Sequence, residues 1–327
     1  MKPPYDITHI ILKYYGEITE SLGQAKSLLL VKPEAKLRRQ NRIKTIHSSL
    51  AIEGNTLNID QITAIIENTP VIGPEKDIQE VLNAIKVYDS LPSFEAYSVT
   101  DFLKAHKIFM NKLLNNPGEY RKQQVGIMKG REVKHIAPGH NMVPGLMDDL
   151  FSYLKKDKDL SIIKSCVFHY ETEFIHPFED GNGRMGRLWQ TRILMKTNPL
   201  FEYVPIEETI KNHQKEYYDI LERCDNKGNS TEFIEFMLKV INKTLKETID
   251  KSKVPNKDYG IRSDYALSKL DDWFDRKDYM TINKGISSAT ASRDLKKLIE
   301  DGKIIAKGRG RMTIYKKLVS NNHLEQT

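Results

Sequence analysis

Apolar residues recur three and four positions apart along most of the chain, as far as about residue 250. That spacing places them on one face of an α-helix, so a mainly α fold is predicted. The pattern is clearest in four stretches, which are residues 36–54, 99–114, 143–156 and 231–245. A chain of 327 residues is long enough for two or three domains with a well-buried core.

One stretch departs from the helical pattern. Val125 and Ile127 precede a Lys-Gly-Arg turn at 129–131. Val133 and Ile136 follow that turn at the spacing of an extended chain. Apolar positions of this kind on both sides of a glycine turn predict a short β-hairpin.

The composition is that of an ordinary globular chain, with 39% hydrophobic and 29% charged residues. No apolar run approaches the roughly 18 residues that a membrane span requires, and the start of the chain lacks a signal-peptide pattern. Cys166 and Cys224 stand in helical, apolar contexts without metal-ligand spacing, so we expect reduced core thiols and no zinc site. A cytoplasmic protein without membrane contact is the resulting expectation.

The pattern changes near residue 250. Residues 250–260 are charged, contain one proline and lack apolar periodicity, which is typical of a linker. Residues 263–274 then indicate a helix, 282–302 a turn and a second helix, and 303–317 two strands joined by a basic turn. This is the order of a winged helix, a small module that often binds DNA.

A winged helix binds DNA by placing its second helix in the major groove and its hairpin on phosphates. Residues that could make these contacts here are Ser292, Arg293, Lys296, Arg309 and Arg311. Between Lys303 and Lys317 there are six basic residues and no acidic ones, within a chain of net charge +7. DNA binding and packing against another protein surface both remain open.

The densest group of chemically useful residues is HPFEDGNGRMGR, at 176–187, whose glycines follow the pattern G-x-G-x-x-G. A dinucleotide-binding turn with that pattern must follow a β-strand. Residues 161–175 show helical spacing instead, and Pro177 ends the helix beside His176. Because helical spacing resumes after the glycines, the segment is predicted to be a helix, a tight loop and a helix.

That loop has the features of an anion cradle. Gly181 and Gly183 let backbone N–H groups turn inward, and the first turn of the next helix leaves further N–H groups unpaired. Arg184 and Arg187 are three positions apart and share a helix face, where they can grip neighbouring phosphates.

Three polar side chains of the loop fit the chemistry of phosphate transfer. Asp180 is a hard oxygen ligand for Mg²⁺, whose other ligands would be water and phosphate oxygens. Asn182 can orient a phosphate oxygen. His176 has an ordinary pKa of about 6.5, which suits removal of a proton from an attacking hydroxyl. The combination predicts phosphoryl or nucleotidyl transfer.

These residues resemble the Fic family motif H-P-F-x-[D/E]-G-N-[G/K]-R, which stands complete as HPFEDGNGR at 176–184. The resemblance extends from near residue 1 to about 245. It implies a self-inhibited protein adenylyltransferase that moves AMP from ATP to a Tyr, Thr or Ser hydroxyl of a target protein. His176 would be the base and Asp180 the metal ligand. Glycine rather than lysine at 183 resembles the adenylylating branch, unlike the Doc-type kinases.

The resemblance also implies contacts with the target and with the nucleotide base. In the family the hairpin is a flap that pairs with an extended segment of the target, a role that falls on Glu132, Val133, Lys134, His135 and Ile136. The alternative is a hairpin that only caps the core. Adenine and ribose contacts fall on Tyr218 and Asp225, although Tyr217 and Tyr218 could equally be core residues.

SLAIEGN, at 49–55, resembles the family's inhibitory pattern [S/T]-x-x-x-E-[G/N] through Ser49 and Glu53. The Gly-Asn pair after Glu53 indicates a helix end, where the helix dipole disfavours an anion by roughly 0.3–1 kcal/mol. A partner cation would offset that cost. The resemblance implies that this cation is Arg187 and that the pair fills the space of the γ-phosphate; the alternative is an unpaired, exposed glutamate.

Patterns and resemblance together divide the chain into an N-terminal helical region with the inhibitory motif, a Fic core, a linker, a winged helix and a tail. Their bounds are 1–95, 96–248, 249–260, 261–319 and 320–327. Two other functions stay open, which are a Fic enzyme that removes AMP and a DNA-binding regulator with a nucleotide-sensing core. The resemblance also leaves a homodimer open.

Overall fold

The computed structural model describes residues 2–27, 33, 35–124, 126–129, 132–252, 259–283, 286–308, 310 and 313–318. The chain forms two compact units, Met1–Thr248 and Ile249–Thr327. The first unit therefore contains both the predicted N-terminal region and the predicted core. Within the described ranges, no helix is long and apolar enough to cross a membrane.

The first unit is built mainly of helices, as the periodicity predicts. Before the hairpin they are α1 (His9–Ser27), α2 (Ala35–Ile52), α3 (Ile59–Ile66), α4 (Glu75–Ser90) and α5 (Val99–Phe109). After the hairpin they are α6 (Val143–Lys156), α7 (Ser161–Ile175), α8 (Asn182–Thr197), α9 (Ile206–Asn212), α10 (Gln214–Lys227) and α11 (Thr231–Ser252). The last helix extends to Ser252, inside the segment expected to be a linker.

Helices α7 and α8 form the centre of the unit and pack along each other. Gly186 of α8 allows this approach, because a Cβ there would lie 2.8 Å from Cδ2 of His169 on α7. The third glycine of the G-x-G-x-x-G pattern thus serves helix packing. The predicted helix, loop and helix are confirmed, with α7 ending at Ile175 and α8 beginning at Asn182.

Aromatic rings fix the loop between these helices to the core. Phe178 of the loop is fully buried, and its ring centroid lies 5.4 Å from that of Phe102 in α5. Phe102 in turn packs edge-on against Phe168 and Trp189, at centroid distances of 5.6 and 5.2 Å. The loop is therefore held from below by side chains of three helices.

The predicted hairpin is confirmed in the backbone. Its strands are β1 (Gly126–Lys129) and β2 (Glu132–Ile136), which pair antiparallel with Gly126 opposite Ile136 and an irregularity between Ile127 and Met128. Val125, Gly130 and Arg131 lie outside the described residues.

The second unit follows the predicted order of elements and adds a strand. It consists of α12 (Tyr259–Lys269), β3 (Trp273–Asp275), α13 (Arg276–Ile282), α14 (Ser288–Glu300), β4 (Ile304–Lys307) and β5 (Ile314–Lys317). The sheet is antiparallel, with β5 between β3 and β4. The helix expected over 263–274 ends at Lys269, and its last predicted residues form β3 instead. Arg309 and Arg311 lie outside the described residues.

Candidate active site

The loop between α7 and α8 turns sharply at His176. This residue adopts a left-handed backbone conformation (φ 51°, ψ 61°), because the proline that follows disfavours continuation of α7. Asn182 then closes the loop: its Oδ1 accepts from Phe178 N at 2.8 Å, and its Nδ2 donates to Phe178 O at 3.0 Å. The side-chain amide of Asn182, expected to orient a phosphate, thus binds the loop itself in this structure.

A histidine from α5 holds the other end of the loop. His106 Nδ1 accepts from Gly118 N at 2.8 Å, so its proton lies on Nε2, which donates to Asp180 O at 3.0 Å. Its ring also stacks on Phe178, with centroids 3.6 Å apart. Burial lowers the pKa of His106 to about 4, so the ring is neutral near pH 7. Nothing in the local sequence singles out this residue, which lies 74 positions from its partner.

The glycines leave room for other side chains at the start of α8. Gly181 has φ +87°, a conformation that favours glycine, and it lies directly before the first helical residue. A Cβ at Gly183 would lie 2.5 Å from Glu53 Oε1 and 3.0 Å from Arg187 Nη1. The unpaired N–H groups of this first turn, the glycines and a guanidinium therefore border one space, as expected for an anion cradle.

Arg187 is the charge at the centre of this space. Its side chain is 2% exposed, and its Nη2 donates to Glu53 Oε1 at 2.7 Å and to Ser49 O at 3.0 Å. Burial lowers its pKa, but Glu53 and nearby Tyr217 and Glu173 outweigh burial, so the pKa is raised. Nε and Nη1 are buried without a hydrogen-bond partner among the described residues. Such donors need an acceptor, which a phosphate would supply.

The structure therefore brings together the two ends of the pair that the inhibitory motif implies. Glu53 follows the last turn of α2, and Gly54 (φ +90°) ends the helix as expected. Glu53 contacts Arg187 directly, so it is not an unpaired glutamate. Ser49 contributes its backbone carbonyl to the same guanidinium.

Arg184 faces a different set of partners from Arg187. Its Nη1 lies 3.0 Å from Glu80 Oε1, and its Nη2 lies 2.8 Å from Asp180 Oδ1. Glu80 of α4 also accepts from Asn55 Nδ2 at 2.8 Å, two residues after Glu53. A buried polar chain thus runs from the end of the inhibitory segment to Asp180. Glu80 and Asn55 are parts of the site that no sequence motif marks.

Asp180 has the properties of a metal ligand that needs further ligands from elsewhere. Its side chain is 47% exposed. Burial raises its pKa, but Arg184 and the Gly181 amide outweigh burial, so the pKa is lowered and the carboxylate is charged. Both contacts go to Oδ1 (Gly181 N at 2.6 Å), so Oδ2 is the oxygen that can take a cation. The described residues contain no cluster of three metal-ligating side chains. The donor set fits Mg²⁺ only together with nucleotide phosphates and water.

Glu173 is a second carboxylate beside the cradle that the sequence does not reveal. A Cβ at Gly183 would lie 3.1 Å from its Oε1, which accepts from Tyr217 OH at 2.9 Å. Burial and the nearby Glu53 raise the pKa of Glu173 to about 7, against the lowering effect of Arg187. Tyr217 is fully buried and also bonds His169 Nε2 at 3.0 Å. It therefore belongs to the core, one of the two alternatives left open for it.

The remaining predicted residues lie on α10 and on the hairpin. Tyr218 is 41% exposed, and its OH lies 3.4 Å from Ile52 O, next to the inhibitory glutamate. Asp225 stands two helical turns further along α10 and accepts from Tyr170 OH at 2.9 Å. Strand β2 of the hairpin lies against α10. Side chains of the flap residues Glu132 to Ile136 lie outside the described part of the structure.

Known proteins resemble this chain in both fold and sequence. Residues 96–194 match the family model of the Fic/DOC family. A crystal structure of a Fic family protein from Desulfovibrio desulfuricans G20 is 36% identical and has a TM-score of 0.75, covering 99% of this chain and 100% of that one. The fold and the loop between α7 and α8 thus define a helical protein of the Fic/DOC type. The chain belongs to the Fic family.

Curated relatives carry the name protein adenylyltransferase Fic. The one from Nematostella vectensis is 28% identical over 247 residues, which is 70% of this chain and 55% of that protein. The one from Aedes aegypti is 27% identical over 223 residues, or 64% of this chain and 42% of that protein. The chain thus spans about half the length of these relatives.

The raised pKa of Glu173 gives the fold a measurable pH dependence. Between pH 4.5 and about 7, Glu173 is protonated in the folded state and ionised in the unfolded state. The contribution of this proton to the free energy of unfolding is therefore full at low pH and is lost as pH rises through about 7. We expect Glu173→Gln to raise the free energy of unfolding by about 1–3 kcal/mol at pH 8 and to have little effect at pH 5. Denaturant unfolding at both values tests this.

The control is Glu179→Gln, because Glu179 is an exposed carboxylate in the loop that follows α7. Equal stabilisation by Glu173→Gln at the two pH values would contradict the assignment.

Proposed function

We propose that this protein transfers AMP from ATP to a hydroxyl of a protein target and that Glu53 keeps it inactive until displaced. The observation that carries the proposal is the Arg187 guanidinium, a buried charge beside a glycine cradle, two of whose nitrogens have no hydrogen-bond acceptor in the described part of the chain. A nucleotide phosphate supplies such acceptors. The name of the curated relatives supports the same reaction.

His176 is the base in this proposal. It takes the proton from the target hydroxyl, whose oxygen bonds to the α-phosphorus of ATP while the bond to the β-phosphate oxygen breaks and diphosphate leaves. Its left-handed conformation at the end of α7 sets it on the same loop as the cradle. The Gly181 to Gly183 amides, with Arg184 and Arg187, would stabilise the charge on the phosphates, an effect that dominates phosphoryl-type transfers.

Asp180 would hold Mg²⁺ through Oδ2. The ion would supply positive charge at the α- and β-phosphate oxygens. Tyr218 and Asp225 would contact adenine and ribose from α10, and the β2 strand would pair with an extended segment of the target. A cytoplasmic location and a homodimer through the core helices stay predictions.

Glu53 acts as a brake because it occupies the acceptor position on Arg187 that a phosphate needs. Removing it frees one N–H of Nη2 for the nucleotide, while the other still donates to Ser49 O. We therefore expect Glu53→Gly to raise AMP incorporation into the protein itself or into lysate proteins by about 10- to 100-fold, the effect of one charge-assisted hydrogen bond. The measurement is transfer of label from α-labelled ATP.

Glu67→Gly is the matched control, since Glu67 also follows a helix end and pairs with an arginine, Arg39, on the surface. Transfer by the Glu53 variant at the level of the parent would argue against the brake. Loss of label from a previously modified protein, dependent on Glu53, would instead favour AMP removal.

His176 and the cradle divide the work between proton transfer and phosphate binding. His176→Ala should lower transfer by at least about 100-fold in the Glu53→Gly background, whereas the Kd for ATP should change by less than about threefold. Calorimetry and label transfer measure the two effects, with exposed His140→Ala as the control. Parallel loss of binding and transfer would refute the division.

The second unit supports DNA as a further partner. Exposed Ser292, Arg293 and Lys296 lie on one face of α14, the helix that enters the groove in winged helices. Arg276 Nη1 donates to Ser292 Oγ at 3.1 Å and adds charge to this face. The assignment of the unit as a winged helix that binds DNA rests on this face and on the order of its elements.

Phosphate contacts give DNA binding a steep salt dependence. If the α14 face binds DNA, replacing Arg293 and Lys296 by alanine should lower the slope of log K against log salt by about 2 in gel-shift titrations with random duplex. Lys303→Ala is the control, because Lys303 already pairs with Asp264 at 2.6 Å. Absence of any shift at low salt would exclude the DNA-binding hypothesis.

A further inference from the structure

Arg121 is a buried arginine between α5 and the hairpin. It is 3% exposed. Its Nε donates to His176 O at 2.7 Å, and its Nη2 donates to Pro138 O at 2.5 Å and to Ile175 O at 3.4 Å. Its Nη1 donates to Gln123 O at 2.9 Å. The whole guanidinium is therefore surrounded by backbone carbonyls.

No carboxylate of the described residues forms an ion pair with Arg121. Burial alone lowers its pKa, in contrast to Arg187, whose acidic neighbours raise it. A buried cation without a counter-ion is expensive, and an apolar side chain would often be as stable. Stability therefore does not explain why an arginine is buried here. The segments whose carbonyls Arg121 binds give a better explanation.

One set of carbonyls belongs to the loop that carries the base. His176 O accepts from the guanidinium, and Pro177 O accepts from the Arg121 backbone N–H at 2.9 Å. A left-handed conformation costs a residue other than glycine about 1–2 kcal/mol. Arg121 holds the peptides on both sides of this strained position, and thereby the direction of the His176 side chain.

The other set belongs to the two roots of the hairpin. Gln123 lies just before β1 and Pro138 just after β2, and both carbonyls bind the same guanidinium. Gln124 Nε2 donates to Ala137 O at 2.6 Å and closes the base of the hairpin. Arg121 is thus the group that joins the flap and the His176 loop.

We infer that Arg121 is a positioning residue for the transfer reaction. It fixes the flap and the backbone of His176 relative to each other, so that a hydroxyl bound at the flap reaches the imidazole. This inference rests on the proposed function. Arg121 touches none of the cradle residues in its hydrogen bonds, so it should affect the encounter of hydroxyl and base without affecting nucleotide binding.

The test uses the Glu53→Gly protein as parent and compares Arg121→Lys and Arg121→Met. A displacement of about 1 Å costs roughly 100-fold in rate, so kcat for AMP incorporation should fall by about 100-fold while the Kd and KM for ATP stay within about threefold. Added methylguanidinium should restore part of the rate in Arg121→Ala, by filling the space of the missing group.

Arg192 offers a matched control. It is also an arginine whose pKa burial lowers, and its Nε donates to a backbone carbonyl, Phe94 O, at 2.5 Å. It contacts neither the loop nor the hairpin in these bonds. Arg192→Lys and Arg192→Met should leave kcat at the parent value, whatever their effect on the melting temperature. Equal loss of kcat in the Arg192 variants would show that Arg121 has only a structural role.

Hydrogen exchange tests the same inference without any transfer assay. Arg121→Lys should speed exchange of the backbone amides of residues 132–137, His176 and Phe178 relative to the parent, and methylguanidinium should slow it again in Arg121→Ala. Unchanged exchange in both segments, or unchanged kcat, overturns the inference. If the parent transfers no AMP but exchange responds as expected, the proposed function fails, but the conclusion that Arg121 fixes the hairpin relative to the His176 loop is retained.

Discussion

The buried charge of Arg187 is the constraint on which the site depends. The guanidinium of Arg187 is 2% exposed and needs acceptors for its donors and its charge, because an unpaired charge in the interior costs several kcal/mol. Glu53 meets this need in the present structure, and a phosphate would meet it in a nucleotide complex. If one anion replaced the other, the guanidinium would have an anionic partner in both states. In the proposed function, self-inhibition and nucleotide binding would therefore use the same interaction.

The surroundings of Glu53 determine how that exchange can happen. Before it, Ile52 O accepts from Gln214 Nε2 at 3.0 Å. After it, Asn55 is bound to Glu80 and to the Asp77 carbonyl. The backbone is therefore fixed on both sides, whereas the Glu53 side chain is 29% exposed. Release by rotation of the side chain breaks one ion pair, but withdrawal of the helix end would break all of these bonds.

Some of this arrangement follows from local sequence and some does not. Pro177 and the glycines predict the end of α7 and the start of α8, because these residues act on their own backbone. His106, Glu80 and Glu173 escaped prediction because their roles come from packing. Glu80, for instance, lies 104 positions from Arg184, and only the arrangement of α4 against α8 brings them together. In the second unit, LDDWF fitted a helical pattern, but pairing of Trp273–Asp275 with β5 outweighs that preference.

The same reasoning explains why glycine stands at 183. A Cβ at this position would lie 2.5 Å from Glu53 Oε1, closer than a Cβ atom can approach, and 3.1 Å from Glu173 Oε1, which is a tight contact. The side chain of Glu53 could move away, but it would then leave Arg187. A larger residue at 183 would therefore separate the ion pair and also narrow the cradle. Glycine permits the Glu53 carboxylate to reach Arg187, and in the proposed function it would permit a phosphate to do the same, so inhibition and nucleotide binding would place the same demand on this position.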